Sequence, residues 1–382
     1  MKLVYLINAR IPTEKAHGYQ VVKMCEAFSQ LGIETELWFP TRVNPVEDDL
    51  FSFYQIESTF KTRTISCPDP IARLGFLGRF SFWLQNFFFV FALLFTRLGR
   101  DSIVYSRSPE VIWLFGLRGF RTVFEVHAIP KSKQFFYRLA LRRANKIVAL
   151  TRSIKKLLID LGVVESKIIV APDAVDLKTF SSNLGREEAR SLIGLTSTEP
   201  VVGYFGRFRT MGVKKGLDVI LEALVKISHP INLVARGGSE EDLIYYADFA
   251  WHLSLAHKVQ LGGLVTRDKI ALYQKACDIL LMPFPYTEHY AYYMSPLKMF
   301  EYMASQRPII ASDLPSVREI LNESNAILIP PDNPTALAEA ITHLLAHPAI
   351  GEKLAAQAYR DVQNYTWDKR AGRVIEFIRN KK

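Results

Sequence analysis

The sequence predicts a parallel α/β protein made of two Rossmann-like halves in series. Short apolar runs alternate with helix-like segments along the chain, which is the signature of parallel sheets with crossover helices. The alternation restarts at Pro200 after the polar stretch Ser181–Glu199. The length, 382 residues, is long for one core and comfortable for two.

The elements follow in order. Lys2–Asn8 reads as the first strand. The apolar run stops at Asn8 and Arg10, too short for a signal peptide, so a buried strand explains it. Gly18 to Leu31 reads as a helix closed by Gly32, with Ile33–Phe39 the next strand. Ile103–Tyr105, Thr122–Val126, Lys146–Leu150 and Ile168–Val170 continue the series, and Ala171–Asp176 turns out of the first half. The second half starts with Val201–Gly206 and runs through a helix at Leu217–Ile227. Strands are expected at Ile231–Ala235, Val259–Leu261, Ile279–Pro283 and Ile309–Asp313, and the tail Trp367–Asn380 has helical spacing. The domains expected are 1–180, a linker at 181–199, 200–360, and a terminal helix within 361–382 that crosses back to the first domain.

Composition narrows the classes. Hydrophobic content of 49% with 23% charged residues describes a folded chain, not a disordered one. Cys25, Cys67 and Cys277 are too widely spaced for a metal site, and imply reduced thiols in a cytoplasmic chain. The net charge of +10 is uneven: residues 1–190 hold 27 Lys and Arg against 18 Asp and Glu. Much of the excess lies in Lys131, Lys133, Arg138, Arg142, Arg143, Lys146, Arg152, Lys155 and Lys156, with no acid before Asp160. No zinc pattern or nucleic-acid module accompanies the run, so nucleic acid is not expected as a partner. An anionic membrane surface, or a plain solvated face, is.

Phe76–Leu98 bears on that choice. Phe87–Phe95 is a run of nine apolar residues, well below the ~20 that a membrane span needs. The segment is either a core helix or an interfacial one, and Trp83 with its phenylalanines suits the second. Peripheral attachment on the inner face of a membrane is the expectation.

The most informative stretch is Ser295–Ala304, Ser-Pro-Leu-Lys-Met-Phe-Glu-Tyr-Met-Ala. Ser295 reads as an N-cap and Pro296 as the first helical residue, with Leu297 next. That puts Lys298 where a helix usually wants an acid, which is unfavourable unless an anion sits with it. Glu301, one turn on, is placed to accept hydroxyl hydrogen bonds from the group carrying the anion. Arg307-Pro308, the strand after it and Pro315–Glu319 make an α/β unit around this helix.

This segment resembles the donor-binding helix of glycosyltransferase family four, retaining enzymes of the GT-B fold, in which two Rossmann-like domains face each other across a cleft. The resemblance is to the subgroup whose motif reads Ser-Pro-Leu-Lys-x-Phe-Glu-Tyr-Met-Ala. It implies that Glu301 binds the nucleotide ribose. Many members carry an earlier glutamate eight positions before, where this chain has Tyr293. The donor-sugar candidates are therefore Glu288, His289, Tyr290 and Tyr293.

Other residues join the site by the same route. Gly203–Arg207 followed by Lys214-Lys215-Gly216 and a helix supplies charge and open backbone for phosphates. Arg207 and Lys215 resemble the pair that neutralises the donor diphosphate, the spacing leaving Lys214 and Lys215 both open. Gly18 would let backbone approach a ligand. His127, after a strand, would by the resemblance bind a donor-sugar hydroxyl or the acceptor. Gly263 lies in a stretch, Gly262–Val265, that resembles the family loop whose backbone reads the base. The implied reaction moves a sugar from a nucleotide diphosphate, UDP or GDP, to a glycan or lipid-linked hydroxyl, with neither metal nor cofactor. A sugar-nucleotide epimerase and a silent sugar-nucleotide binder are the alternatives.

Overall fold

The computed structural model describes residues 1–74, 76, 78–130, 134–181, 184–195, 198–210 and 212–380. It divides into two units: Met1–Asp173 together with Trp367–Lys382, and Ala174–Thr366 between them. The divisions fall at 173/174 and 366/367, where the sequence suggested 180/181 and 360/361.

The first unit is built on seven strands: β1 (Lys2–Leu6), β2 (Glu34–Pro40), β3 (Lys61–Ile65), β4 (Ser102–Ser106), β5 (Arg121–Val126), β6 (Lys146–Ala149) and β7 (Ile168–Val170). They form one parallel sheet in the order β3-β2-β1-β4-β5-β6-β7. Strands 1 and 4 are central, and Leu3, Val4, Tyr5 and Leu6 are wholly buried beside Ile103, Val104 and Tyr105. A parallel strand covered on both faces favours such continuous apolar runs over alternation. Strand 3, Lys-Thr-Arg-Thr-Ile, escaped the sequence reading because it is an edge with four exposed residues and no apolar run. The helix Ala16–Gln30 packs beside the terminal helix Trp367–Arg379, with Tyr19 edge-on to Trp367 at 6.2 Å.

The second unit holds β8 (Val201–Phe205), a short antiparallel hairpin of β9 (Arg209–Thr210) and β10 (Val213–Lys214), then β11 (Asn232–Arg236), β12 (Val259–Gly262), β13 (Ile279–Met282), β14 (Ile309–Ser312) and β15 (Ile327–Ile329). Its parallel sheet has the order β12-β11-β8-β13-β14-β15. Both sheets thus reverse direction beside their first strand, the arrangement that leaves ligand space outside the carboxyl ends. The 181–199 stretch is not a plain linker. It contains a helix, Arg186–Leu192, whose Arg190 is buried and donates to Asp278 Oδ2 at 2.7 Å.

The basic run of the first unit is dispersed by the fold. Lys131 and Lys133 lie outside the described residues. Lys146 sits over the Phe377 ring at 4.4 Å, and Lys155 pairs with Glu165 at 2.7 Å. Arg138, Arg142 and Arg143 remain exposed on the helix Gln134–Arg143.

Candidate active site

Strand 8 ends at Gly206, whose N–H donates to Arg236 O at 2.9 Å. Its φ of +124° is open to glycine alone, and a Cβ there would lie 2.9 Å from Lys298 Cε. Beyond it the chain makes the β9–β10 hairpin, which accounts for the long spacing between Arg207 and Lys215. Lys215 N–H closes the loop onto Phe208 O at 3.1 Å. Gly216 then opens the helix Leu217–Val225 with φ +93°, where a Cβ would sit 1.8 Å from Pro283 O.

The hairpin separates the cations by task. Arg209 is ion-paired with Asp242, and Lys214 reaches Asp218 at 3.4 Å. Lys215 turns the other way. Burial, and then the charge of Arg207, push its ammonium down to about 8. Lys215 in turn lowers the imidazole of His289, after burial. Lys298 is the most confined: burial and the charge of Lys215 hold it well below the usual ammonium range, with Glu301 opposing. Its Nζ is buried without a hydrogen-bond partner and sits 3.8 Å from the centroid of the Tyr204 ring.

Tyr204 was not picked out by the sequence reading. Its hydroxyl donates to the carbonyls at both feet of the loop, Arg207 O (3.2 Å) and Lys215 O (3.3 Å), while its face supports Lys298. An ammonium on an aromatic face is attracted by the ring's quadrupole, which offsets part of the cost of its burial. A tyrosine inside an apolar strand gives no local signal of this. The cluster is therefore three cations: Lys298 on the Tyr204 ring, Lys215 near enough to repel it, and Arg207 near enough to repel Lys215.

The helix carrying Lys298 starts one residue later than expected. Pro296 is the N-cap, with extended backbone (φ −78°, ψ 131°), and the helix runs Leu297–Ala304. Ser295 is buried one residue before that N-cap, in the segment that follows a π-turn at His289–Tyr293. Lys298 is still in the first turn, where the N–H groups of Leu297 and Lys298 have no acceptor within the helix. Tyr302 anchors this helix to the sheet by accepting from Phe205 N–H at 2.8 Å.

Glu301 is nearly buried, and its Oε1 accepts from Arg267 Nη1. Arg267 opens the helix Arg267–Ala276 just past the glycine loop. It is a second cation at a helix start, and the dipole argument applied to Lys298 would have flagged it. In that loop, Gly237 N–H donates to both Gly262 O and Gly263 O at 3.0 Å. Gly263 thus lies against the Gly237-Gly238 turn.

The sugar candidates divide. Tyr293 OH donates to Glu288 Oε1 at 3.1 Å, so the residue standing where many family members carry a glutamate is tied to a carboxylate. Tyr290 is a core residue instead, packed against Phe284 at 5.1 Å. The buried Phe284, Ala291 and Met294 around it draw its ring inward.

In the first unit, Gly18 has a reason internal to the protein. A Cβ would meet Tyr54 Oη at 2.2 Å and Thr13 Cγ2 at 2.5 Å. Tyr54 OH bridges the backbone of Thr13, accepting from its N–H and donating to its carbonyl, both at 2.9 Å. The space expected to admit a ligand is filled.

His127 follows β5 and joins a closed network. Arg107 Nη2 donates to its Nδ1 at 2.9 Å; a guanidinium only donates, so Nε2 carries the proton and gives it to Glu125 Oε1 at 2.7 Å. Burial and the Arg107 charge push the imidazole down to about 4. Both ring nitrogens are engaged within the protein, so the ring as placed does not offer one to a sugar, contrary to expectation. Glu125 is the hub: wholly buried, it also accepts from Gln20 Nε2 (2.6 Å), Tyr105 OH and Arg370 Nη2 (3.1 Å). Arg370 comes from the terminal helix and holds the carbonyls of Ala171 and Pro172 as well.

Comparison with known proteins fits both units. Residues 18–179 match the model described as Glycosyltransferase Family 4, and residues 199–347 the one described as Glycosyl transferases group 1. The two matches fall one on each parallel α/β unit, and together the units make the GT-B fold. A glycosyltransferase of uncharacterized activity from Methanocaldococcus jannaschii is 27% identical over 239 residues, 60% of this chain and 58% of that one. The chain thus spans under two thirds of the length of that relative. Among solved structures, sucrose-phosphate synthase from Thermosynechococcus elongatus superposes with a TM-score of 0.80 at 19% identity, covering 99% of this chain and 98% of that one. HepE from Anabaena, solved with UDP-glucose, gives 0.72 at 16% identity and 98% coverage of each.

Proposed function

We propose that this glycosyltransferase moves a sugar from a nucleoside diphosphate donor to a hydroxyl acceptor with retention at the anomeric carbon. The observation that carries the reading is Lys298. A buried ammonium without a hydrogen-bond partner, beside two further cations, is a costly arrangement that a diphosphate would relieve. As the bond from the anomeric carbon to the phosphate oxygen breaks, negative charge grows on the leaving diphosphate. Arg207, Lys215 and Lys298 are the groups that meet it, with no metal required. The acceptor oxygen forms the new bond on the same face, and its proton passes to the departing phosphate oxygen.

Glu301, already aligned by Arg267, is the ribose acceptor in this reading, and the Glu288–Tyr293 pair faces the sugar. UDP is favoured over GDP by the UDP-glucose complex of the Anabaena neighbour. The acceptor class is a glycan or lipid-linked hydroxyl of surface polysaccharide or glycolipid assembly. A thermal-shift screen of UDP- and GDP-sugars tests the donor, since a ligand that binds only the folded state raises its melting temperature. Turnover of the stabilising sugar with a lipid-linked acceptor tests transfer, and excess chelator should leave it unchanged. Stabilisation by no nucleotide sugar contradicts the donor reading.

A further inference from the structure

The helix Arg79–Leu94 of the first unit has two unlike faces. Ser81, Phe89 and Leu93 point inward and are wholly buried. On the other side Phe80, Trp83, Phe87, Phe91 and Phe95 recur at helical spacing, and each leaves about half or more of its surface in water. They form a continuous ladder, with ring centroids at 6.2, 6.1, 6.0 and 5.2 Å along the series. An exposed apolar stripe of this size marks an interaction surface.

The charges beside the ladder indicate what it meets. From residue 70 to 100 the chain has four arginines and no acid. Where the ladder ends, an open cavity of about 530 Å³ is lined by Phe95, Arg97, Arg100, Arg118 and Phe120. It is held in shape from beneath: Arg118 donates to Leu93 O (2.8 Å) and Thr96 O (2.7 Å), and Arg100 donates to Arg118 O (2.7 Å). The next helix, Pro109–Leu117, touches both this helix and Gln134–Arg143, and the last adds exposed Phe135 and Phe136 beside Arg138 and Arg142. Sixteen residues make a helix of about 24 Å, and no helix among the described residues is long and apolar enough to cross a membrane.

We propose that this face docks on an anionic lipid bilayer. The aromatic ladder lies in the headgroup plane and the arginine-lined cavity takes a lipid phosphate. Aromatic rings with an excess of basic neighbours are what an interfacial helix needs. The inference is independent of the transfer chemistry.

The test is co-sedimentation of the full chain with phosphatidylcholine vesicles, with and without a third phosphatidylglycerol. Wild-type protein should pellet with the anionic vesicles at low salt, and high salt should release it. Phe87→Ser with Phe91→Ser should weaken binding by about tenfold or more while leaving the melting temperature in place. Arg97→Glu with Arg100→Glu should weaken it by about tenfold and flatten its salt dependence. Wild-type protein that ignores anionic vesicles at low salt overturns the proposal, as does unchanged binding in the ring variant. A ring variant that unfolds would show the face to be core, also overturning it. A wild-type dimer that the ring variant dissociates, with no vesicle binding, would assign the face to a second copy instead.

Discussion

At the carboxyl end of β5, Glu125 is enclosed by Gln20, Tyr105, His127 and Arg370, so its charge is met on every side. At the carboxyl end of β8, the Lys298 ammonium is just as confined and has no hydrogen-bond partner. Each unit thus buries charge at the carboxyl end of its parallel sheet, on different strands and with opposite degrees of satisfaction. A fully paired buried network fixes structure; an unpaired one costs stability and is retained where a ligand completes it. This contrast separates the scaffolding role of the first cluster from the binding role proposed for the second.

The largest effect should come from breaking the satisfied network. Glu125→Ala leaves Arg370 buried and unpaired, which costs about 3–5 kcal/mol. Denaturant unfolding should show that loss in the first unit, with nucleotide affinity of the second unit retained. Next, Arg207→Ala and Lys215→Ala should each lower kcat by about 10²–10³ with a smaller change in KM, because their partner gains charge as the bond breaks. A raised KM with kcat unchanged would assign them instead to uniform binding of ground and transition states.

Glu301→Ala should weaken donor binding by about one to two decades, the worth of a hydrogen bond to a charged group at roughly 1.5–3 kcal/mol. Calorimetric titration with UDP reads it directly, and the same titration across pH reads the cations. Lys215 titrates at about 8 in the free protein, and a bound diphosphate raises that value. Affinity should therefore fall as pH rises through 8, with proton uptake on binding. A flat profile from pH 7 to 10 would separate Lys215 from the anion. A pH effect on stability concerns Asp173, whose carboxyl burial pushes up to about 7, with Arg370 opposing and Glu125 adding. Its folded value exceeds its unfolded value of about 4, so wild-type stability is lost as pH rises between them. Asp173→Asn should gain on wild type over that window and hold the gain above pH 7.

The legible parts of the chain were those with local signals. Buried strands such as Leu3–Leu6 and the lysine in the first turn of the Leu297–Ala304 helix announce themselves through apolar runs and a misplaced charge. The edge strand Lys61–Ile65 has no such run, and the β9–β10 hairpin has strands only two residues long, below any periodicity. Site partners set by long-range packing were invisible for the same reason. Arg370 reaches Glu125 across 245 residues of sequence, and Tyr204 supports Lys298 from another element. Gly18 and Tyr290 show the converse, residues of the right type whose neighbours are protein.

The central claim is that Lys298 is held for an anion and not for the fold. Lys298→Met, of similar length and without charge, tests it in one titration of UDP followed by a thermal melt. Removing a buried unpaired charge should leave the melting temperature of the free protein equal or higher. UDP affinity should fall about tenfold or more, the loss of a charged hydrogen bond. Undiminished UDP affinity in a variant that melts earlier would contradict the account and make Lys298 a structural residue.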